Sequence, residues 1–238
     1  MMRITINNLS KTYNDGTQAL DNVNLVIESG MFGLLGPNAS GKTTLIRILA
    51  TLLKPTSGTV TFDDIDLQEN RAAIRSITGY LPQKFSSFTR MKTWEFLDYT
   101  ASLAGLLDKR KRADAVDEML EILGLFDVRN HYANKLSVVM KRHLEIAQAV
   151  IGNPKVLIVD EPTSGLSPEE RIRFKNLLAG RSGKIDIIIL STHIQSDITS
   201  AFNKAAILDN GGVDFLGAPE NLDEQLKDRN WPTVKPGS

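Results

Sequence analysis

The chain has 238 residues, of which 42% are hydrophobic, and this is enough for one sizeable hydrophobic core. Its 28 lysine and arginine residues balance 28 aspartate and glutamate residues, so no net charge would hold it on nucleic acid or anionic lipid, and nucleic acid is not expected as a partner. Cysteine is absent, which excludes disulfide bonds and thiolate metal sites.

Up to about residue 64 the pattern predicts short strands separated by Gly, Asn and Asp, with one helix that starts near Lys42. The expected strands are 3–6, 23–26, 33–36 and 58–62. Residues 1–10 alternate like a strand and lack the apolar core of an export signal. The longest apolar runs, 156–159 and 187–190, are far below the roughly 20 residues that cross a bilayer. Any link to a membrane is therefore expected through a partner.

The middle of the chain changes to helical spacing, and we expect a helical insert at about 85–152. Apolar stripes cover 94–107, 115–123 and 144–151, and Gly124 provides a helix stop.

Strand character then returns, and the order of elements predicts an α/β fold with a mainly parallel sheet and an N-terminal antiparallel β subdomain. The expected elements are a strand at 156–159, a helix from Pro168, a strand at 187–190 and a hairpin around 210–212. We expect one domain over 1–220 and a C-terminal tail over 221–238.

Residues 36–43, GPNASGKT, fit the phosphate-binding pattern G-x-x-x-x-G-K-[ST], with an apolar strand before it and a helical run after it. Backbone NH groups and the helix N-terminus would face the phosphates, while Lys42 adds a charge and Thr43 a hydroxyl ligand for Mg²⁺. The alternative, an accidental glycine-rich turn, does not explain the matching strand and helix. The pattern predicts a P-loop NTPase core. The candidate nucleotide-binding residues are Gly36, Pro37, Asn38, Ala39, Ser40, Gly41, Lys42, Thr43 and Thr44.

Two carboxylates follow the apolar run 156–159. Asp160 is placed to hold Mg²⁺ through water, and Glu161, one residue further, can polarise the attacking water. An Asp-Glu pair after a strand is often only a solvated strand end, but a phosphate loop in the same chain favours the functional interpretation.

With these motifs the chain resembles the ATP-binding-cassette (ABC) ATPases over nearly its whole length. The resemblance implies that Tyr13 stacks on adenine, that Gln83 in GYLPQ contacts Mg²⁺ and the water, and that His193 bonds the γ-phosphate. Taken singly, these residues would be ordinary packing, a surface amide and a structural histidine. The resemblance to the ABC ATPases also implies ATP and Mg²⁺ as cofactors. The implied metal contacts are Thr43, Gln83 and Asp160. His131 and His143 match no motif and are expected at the surface.

The chain departs from this family in two motifs that act across a cassette dimer. The signature, usually LSGGQ, reads LSVVM at 136–140, so Ser137 remains for contact in trans while Val138 and Val139 replace glycines. The D-loop, usually S-x-L-D-P, reads SGLSP at 164–168, with Ser167 in place of the carboxylate. Both segments still read as good helix starts. The residues that would serve the chain's own nucleotide site are unchanged, and only the motifs that serve the opposite site are altered. This asymmetry favours pairing with a different cassette. A homodimer that has adapted to its altered loop is the alternative.

The resemblance implies an ATP-binding and hydrolysing subunit of an ABC transporter, peripheral on the cytoplasmic face of a membrane-spanning partner. Two alternatives are a soluble ABC protein of ribosomes or chromosomes and a regulatory cassette that clamps ATP with little turnover. Guanine specificity is unsupported, because 134–137 and 203–206 lack the aspartate of N-K-x-D. The resemblance identifies neither the cargo nor its direction.

One cluster beside Gln83 has two interpretations. Phe85, Phe88, Met91 and Trp94 are unusually aromatic for a chain with 6% aromatic residues. They would either form a groove for the membrane partner's cytoplasmic helix or pack inside the helical insert.

Overall fold

The computed structural model describes residues 2–83, 90–162, 167–180, 184–198 and 201–222. The strands in these residues are β1 (Arg3–Thr12), β2 (Gln18–Glu28), β3 (Gly30–Leu35), β4 (Ser57–Phe62), β5 (Ile65–Asp66), β6 (Thr78–Leu81), β7 (Val156–Val159), β8 (Ile187–Thr192), β9 (Lys204–Asp209) and β10 (Gly212–Gly217). The α-helices are α1 (Lys42–Leu49), α2 (Arg71–Ile77), α3 (Thr93–Leu103), α4 (Lys109–Ile122), α5 (Val138–Val150) and α6 (Pro168–Ala179). None of the helices in these ranges is long and apolar enough to cross a membrane.

The strands form two sheets. The first is antiparallel where β1 pairs with β2 and β4, and has the order β2-β1-β4-β5. The second has the order β10-β9-β3-β8-β7-β6, and only the β9–β10 hairpin in it is antiparallel. The predicted α/β class, with a mainly parallel sheet and an N-terminal antiparallel sheet, is confirmed. The hairpin expected around 210–212 is also confirmed, because Gly212 pairs with Asp209.

Alternate residues of the parallel strands pack into two apolar clusters. Phe32, Ile158 and Ile189 belong to the cluster that holds the buried face of α1 and the antiparallel sheet. Val159 and Leu190 belong to the other cluster, which holds α3, α4 and α5. Burial on both faces explains why these strands read as continuous apolar runs. The sheet is therefore a rigid layer whose ends position the loops.

Helices α3, α4 and α5 fall inside the range 85–152 that was expected to be helical. Phe85 and Phe88 lie outside the described residues. Met91 and Trp94 are partly buried and pack against the larger apolar cluster, which favours the packing interpretation for these two side chains. Of the tail predicted at 221–238, only Asn221 and Leu222 are described, and Leu222 is 2% exposed and belongs to the larger apolar cluster.

Candidate functional site

Parallel pairing brings four strand ends to one edge of the sheet. Leu35 pairs with Thr192, Val159 with Leu190, and Leu81 with Val159. The segments that follow β3, β6 and β7, and the end of β8 with the residue after it, therefore meet at this edge, where ligands of open α/β sheets bind. They are the segments predicted to carry the phosphate loop, Gln83, the carboxylate pair and His193.

The phosphate loop has a backbone that only small residues allow. Gly41 takes φ 104° immediately before α1, and a Cβ there would lie 2.4 Å from the carbonyl oxygen of Ala19. A Cβ on Gly36 would lie 2.4 Å from the carbonyl oxygen of Leu208. Ala39 takes φ 66°, a left-handed conformation that costs a non-glycine residue about 1–2 kcal/mol.

Lys42 is buried at the N-terminus of α1, with 3% of its side chain exposed. Its ammonium donates to the carbonyl oxygens of Gly36 at 2.8 Å and Pro37 at 2.9 Å, and it lies 3.5 Å from Oε1 of Glu161. Burial lowers the pKa of Lys42, and the nearby Glu161 and Asp160 carboxylates oppose that shift. A cation is thus held inside the loop, where phosphate oxygens would be recognised.

Ser40 gives an independent sign that the loop fits a nucleotide. Its hydroxyl is buried and has no hydrogen-bond partner among the described residues. A buried hydroxyl without a partner loses stability unless a ligand or water supplies one. The loop therefore offers a free polar atom and a cation, which fits the phosphates of ATP.

Asp160 and Thr43 form the part of the site that fits Mg²⁺. The Thr43 hydroxyl lies 3.5 Å from Oδ1 of Asp160, which is 1% exposed. Ser191 donates to the same oxygen at 2.7 Å and accepts from the amide of Glu161 at 2.9 Å. Hard oxygen ligands of this kind suit a Mg²⁺ ion that is bound mainly by phosphate and water. Ser191 orients both carboxylate residues, a role that no motif in the sequence predicts.

Glu161 is the residue on which the remaining predicted groups converge. Its Oε2 accepts from Nε2 of Gln83 at 2.9 Å and lies 3.3 Å from Nδ1 of His193. Its backbone has φ 43°, which is unusual for a glutamate and is often found at functional sites. The carboxylate is 8% exposed and touches an amide, an imidazole and an ammonium. Such a group is placed to orient and polarise a water molecule.

Tyr13 lies beside the phosphate loop. Its hydroxyl is 3.1 Å from the hydroxyl of Thr44 on α1, and the ammonium of Lys11 lies 5.4 Å from the ring centroid. The half-buried ring is thus positioned next to the helix that would receive the phosphates. Its predicted contact with adenine remains a prediction.

The altered signature segment is a well-formed and exposed helix start. Ser137 caps α5 by accepting from the amide of Met140 at 3.2 Å, and Val138 is 77% exposed. Ser167 makes the predicted capping box with Glu170 at the start of α6, while the preceding residues 164–166 lie outside the described residues. The helix starts expected at Ser137 and Ser167 are therefore both present.

One surface prediction was wrong. His143 is half-buried, because α5 turns its imidazole towards the end of α4, where Nδ1–H donates to the carbonyl oxygen of Leu123 at 2.9 Å. His131 is exposed, as predicted.

Replacing Asp160 by asparagine is expected to raise the melting temperature at pH 7.5 while abolishing stabilisation by Mg²⁺ and ATP. Burial raises the pKa of Asp160, so its contribution to stability is present below its ordinary pKa and is lost as pH rises through the raised value. The charged form is therefore unfavourable at neutral pH, and asparagine can still accept from Ser191. We expect a higher melting temperature by thermal unfolding at pH 7.5, and the difference from the unaltered chain should shrink towards pH 4.

The control for this change is Asp114→Asn, which removes an exposed carboxylate on α4. It should leave the melting temperature unchanged with and without nucleotide. A lower melting temperature for the Asp160 variant at pH 7.5 would contradict the assigned effect of burial.

The sheet edge, the loop and the carboxylate pair define a P-loop nucleotide-binding protein. Residues 20–164 match the ABC transporter family, and the chain belongs to that family as its ATP-binding cassette.

Relatives and solved structures agree with this assignment. The ABC transporter ATP-binding protein YxlF of Bacillus subtilis is 36% identical over 223 residues, which cover 93% of this chain and 73% of YxlF. The methionine import ATP-binding protein MetN 1 of Bacillus thuringiensis is 33% identical over 219 residues. The match covers 88% of this chain and 64% of that protein, so the chain spans just under two thirds of this relative.

Among solved structures, the dimeric cassette MJ0796 bound to ADP and Pi is 26% identical with a TM-score of 0.81, covering 91% of this chain and 98% of that one. The structure of cbiO1 from Clostridium perfringens is 25% identical with a TM-score of 0.81, covering 95% of each chain.

Proposed function

We propose that this cassette binds ATP with Mg²⁺ and hydrolyses it, and that closure of a cassette dimer around the nucleotide moves a membrane-spanning transporter subunit. The observation that carries the proposal is the convergence of Gln83, Lys42 and His193 on the buried carboxylate of Glu161. A purely structural ion pair would need only one of these partners. A carboxylate that faces an ammonium, an amide and an imidazole matches the needs of phosphoryl transfer to water.

The chain's residues divide the chemistry between them. Lys42 and the N-terminus of α1 supply positive charge where phosphate charge has to be stabilised. Glu161 holds the attacking water and accepts hydrogen bonding from it, while Gln83 and His193 fix the carboxylate from two sides. Bound Mg²⁺, held at Thr43 and Asp160, would neutralise phosphate charge.

The binding half of the proposal is tested by replacing Lys42 with alanine. We expect affinity for ATP with Mg²⁺ to fall by at least about tenfold, because the buried ammonium and its hold on the loop are both lost. The measurement is isothermal titration of ATP with Mg²⁺ onto the purified chain.

Lys54→Ala is the matched control, since Lys54 is exposed and follows the same helix. It should bind ATP like the unaltered chain. Equal affinity of the Lys42 variant and this control would remove Lys42 from the binding site.

Three observations support a membrane-spanning partner. One relative is named as a methionine import ATP-binding protein, and cbiO1 is described as part of an ABC transporter complex. In this chain, Leu103 and Leu107 are 71% and 79% exposed, and Leu103 borders a pocket of about 550 Å³ between α2, α3 and the end of α5. We infer that the chain lies peripherally on the inner face of the membrane.

A second cassette is supported by the dimeric form of MJ0796 and by the exposed N-terminus of α5. Val138 and Val139 crowd the approach that glycine would allow, so the chain offers a partner's nucleotide a poor clamp. The residues described above that serve the chain's own nucleotide site are all present. We infer that the chain works best beside a cassette with an intact signature, which would complete the site on this chain.

A cassette that clamps ATP for regulation, with little turnover, is the second candidate. Val138, Val139 and Ser167 favour it, because all three weaken what the chain offers across a dimer. Glu161 and His193 oppose it, since a clamp needs neither a base nor its imidazole partner.

A further inference from the structure

We propose that Arg142 is a positioning residue that holds Glu161 in place and ties it to α5. Nε and Nη2 of Arg142 both donate to the carbonyl oxygen of Pro162, at 3.2 Å and 2.9 Å. Pro162 directly follows Glu161. The proposal rests on the proposed function in so far as Glu161 acts in hydrolysis.

Glu161 needs external support because its backbone is strained. A glutamate at φ 43° persists only where its surroundings determine the conformation. On one side, the amide of Glu161 donates to Ser191 at 2.9 Å. On the other side, Arg142 holds the next carbonyl with two hydrogen bonds. The strained residue is thus fixed between β8 and α5.

The guanidinium itself is oriented by a buried ion pair. Nη1 of Arg142 bonds Oε2 of Glu145, and the two side chains are 13% and 9% exposed. Three of the donors in the guanidinium fork are used, so the plane of the group is determined. A buried ion pair adds little net stability, because loss of hydration offsets the attraction. Its geometric effect on Pro162 is therefore the larger consequence.

The same helix carries the exposed segment expected to face a partner's nucleotide. Arg142 lies in the second turn of α5, which starts after the Ser137 cap. A displacement of α5 therefore moves the carbonyl oxygen of Pro162 and, with it, the carboxylate of Glu161. Contact with a partner cassette and orientation of the chain's own base become linked in this way.

The test replaces both members of the ion pair, Arg142→Met with Glu145→Met, so that no unpaired charge is buried. We expect about tenfold faster hydrogen exchange at the amides of Asp160 and Glu161, unchanged ATP affinity, and a single-turnover hydrolysis rate about tenfold lower. Mass spectrometry of the peptide 156–162 reports the exchange. A loss of binding without a change in exchange would overturn the proposal.

The matched control is Arg112→Met with Asp98→Met, because Arg112 bonds Asp98 and the carbonyl oxygens of Leu106 and Leu107 in the same helical region. It should change neither exchange at Glu161 nor the hydrolysis rate. An equal effect of both double variants, or an unchanged rate in the Arg142 variant, would also overturn the proposal. If the unaltered chain shows no Glu161-dependent hydrolysis, the proposed function fails, while the exchange result still decides whether Arg142 holds Glu161.

Discussion

Replacing Glu161 by glutamine is expected to leave ATP affinity within about twofold and to lower hydrolysis by about 10²–10⁴-fold. Lys42 and the loop hold the ground-state phosphates, whereas the carboxylate acts on the water, so binding and turnover should separate. Glutamine keeps the side-chain length and meets the same backbone conformation at φ 43°. Affinity is measured by titration calorimetry and turnover by phosphate release on the same preparations.

Glu118→Gln, which changes an exposed glutamate on α4, is the control and should match the unaltered chain in both assays. Equal losses of affinity and turnover in the Glu161 variant would show that this carboxylate binds the nucleotide and does not act on the water.

Restoring the usual family residues in the two altered motifs is expected to raise turnover of the isolated chain by about 10²-fold. The variant carries Val138→Gly, Val139→Gly, Met140→Gln and Ser167→Asp. Glycine at 138 and 139 lets a partner's phosphate approach the backbone NH groups at the N-terminus of α5. Removing one hydrogen-bond donor to a transition state typically lowers an enzyme's rate by about 10²–10³-fold. The measurement is ATPase rate against protein concentration, because a contact in trans requires two copies.

The same four changes combined with Glu161→Gln should give no gain, which separates true turnover from contamination. Thermal unfolding of each variant shows whether the glycines have loosened α5. Brisk, cooperative and Glu161-dependent hydrolysis by the unaltered chain alone would contradict the need for a different cassette and favour the adapted homodimer.

Much of the fold could be predicted because buried parallel strands read as apolar runs. The strand predicted at 156–159 is β7, and the helix predicted from Pro168 begins there, where a capping box and a first-position proline coincide. The phosphate loop and the carboxylate pair could also be predicted from the sequence, because each is a short contiguous motif. Their chemistry depends on short stretches of sequence, and the sheet then brings them together.

The rest depends on contacts between distant segments. Strand β6 (Thr78–Leu81) is short and mixed in character, so only its pairing with β7 reveals it. Helix α5 starts at Val138, directly after the Ser137 cap that the sequence predicts, whereas its apolar stripe begins only at Leu144, because Val138 is 77% exposed and Leu144 is the first buried residue of the helix. Ser191 and Arg142 carry no motif of their own. Their roles follow from hydrogen bonds that cross 30 and 20 residues of sequence.

The ammonium of Lys42 has a second effect through its bonds to the carbonyl oxygens of Gly36 and Pro37. These bonds order the start of the loop when the chain folds, so the conformational entropy of the loop is lost then and not when ATP arrives. The site is preorganised by the residue that also recognises its ligand. A Lys42 substitution therefore measures two quantities together, the attraction of one positive charge for phosphate and the free energy of ordering the loop that this charge holds.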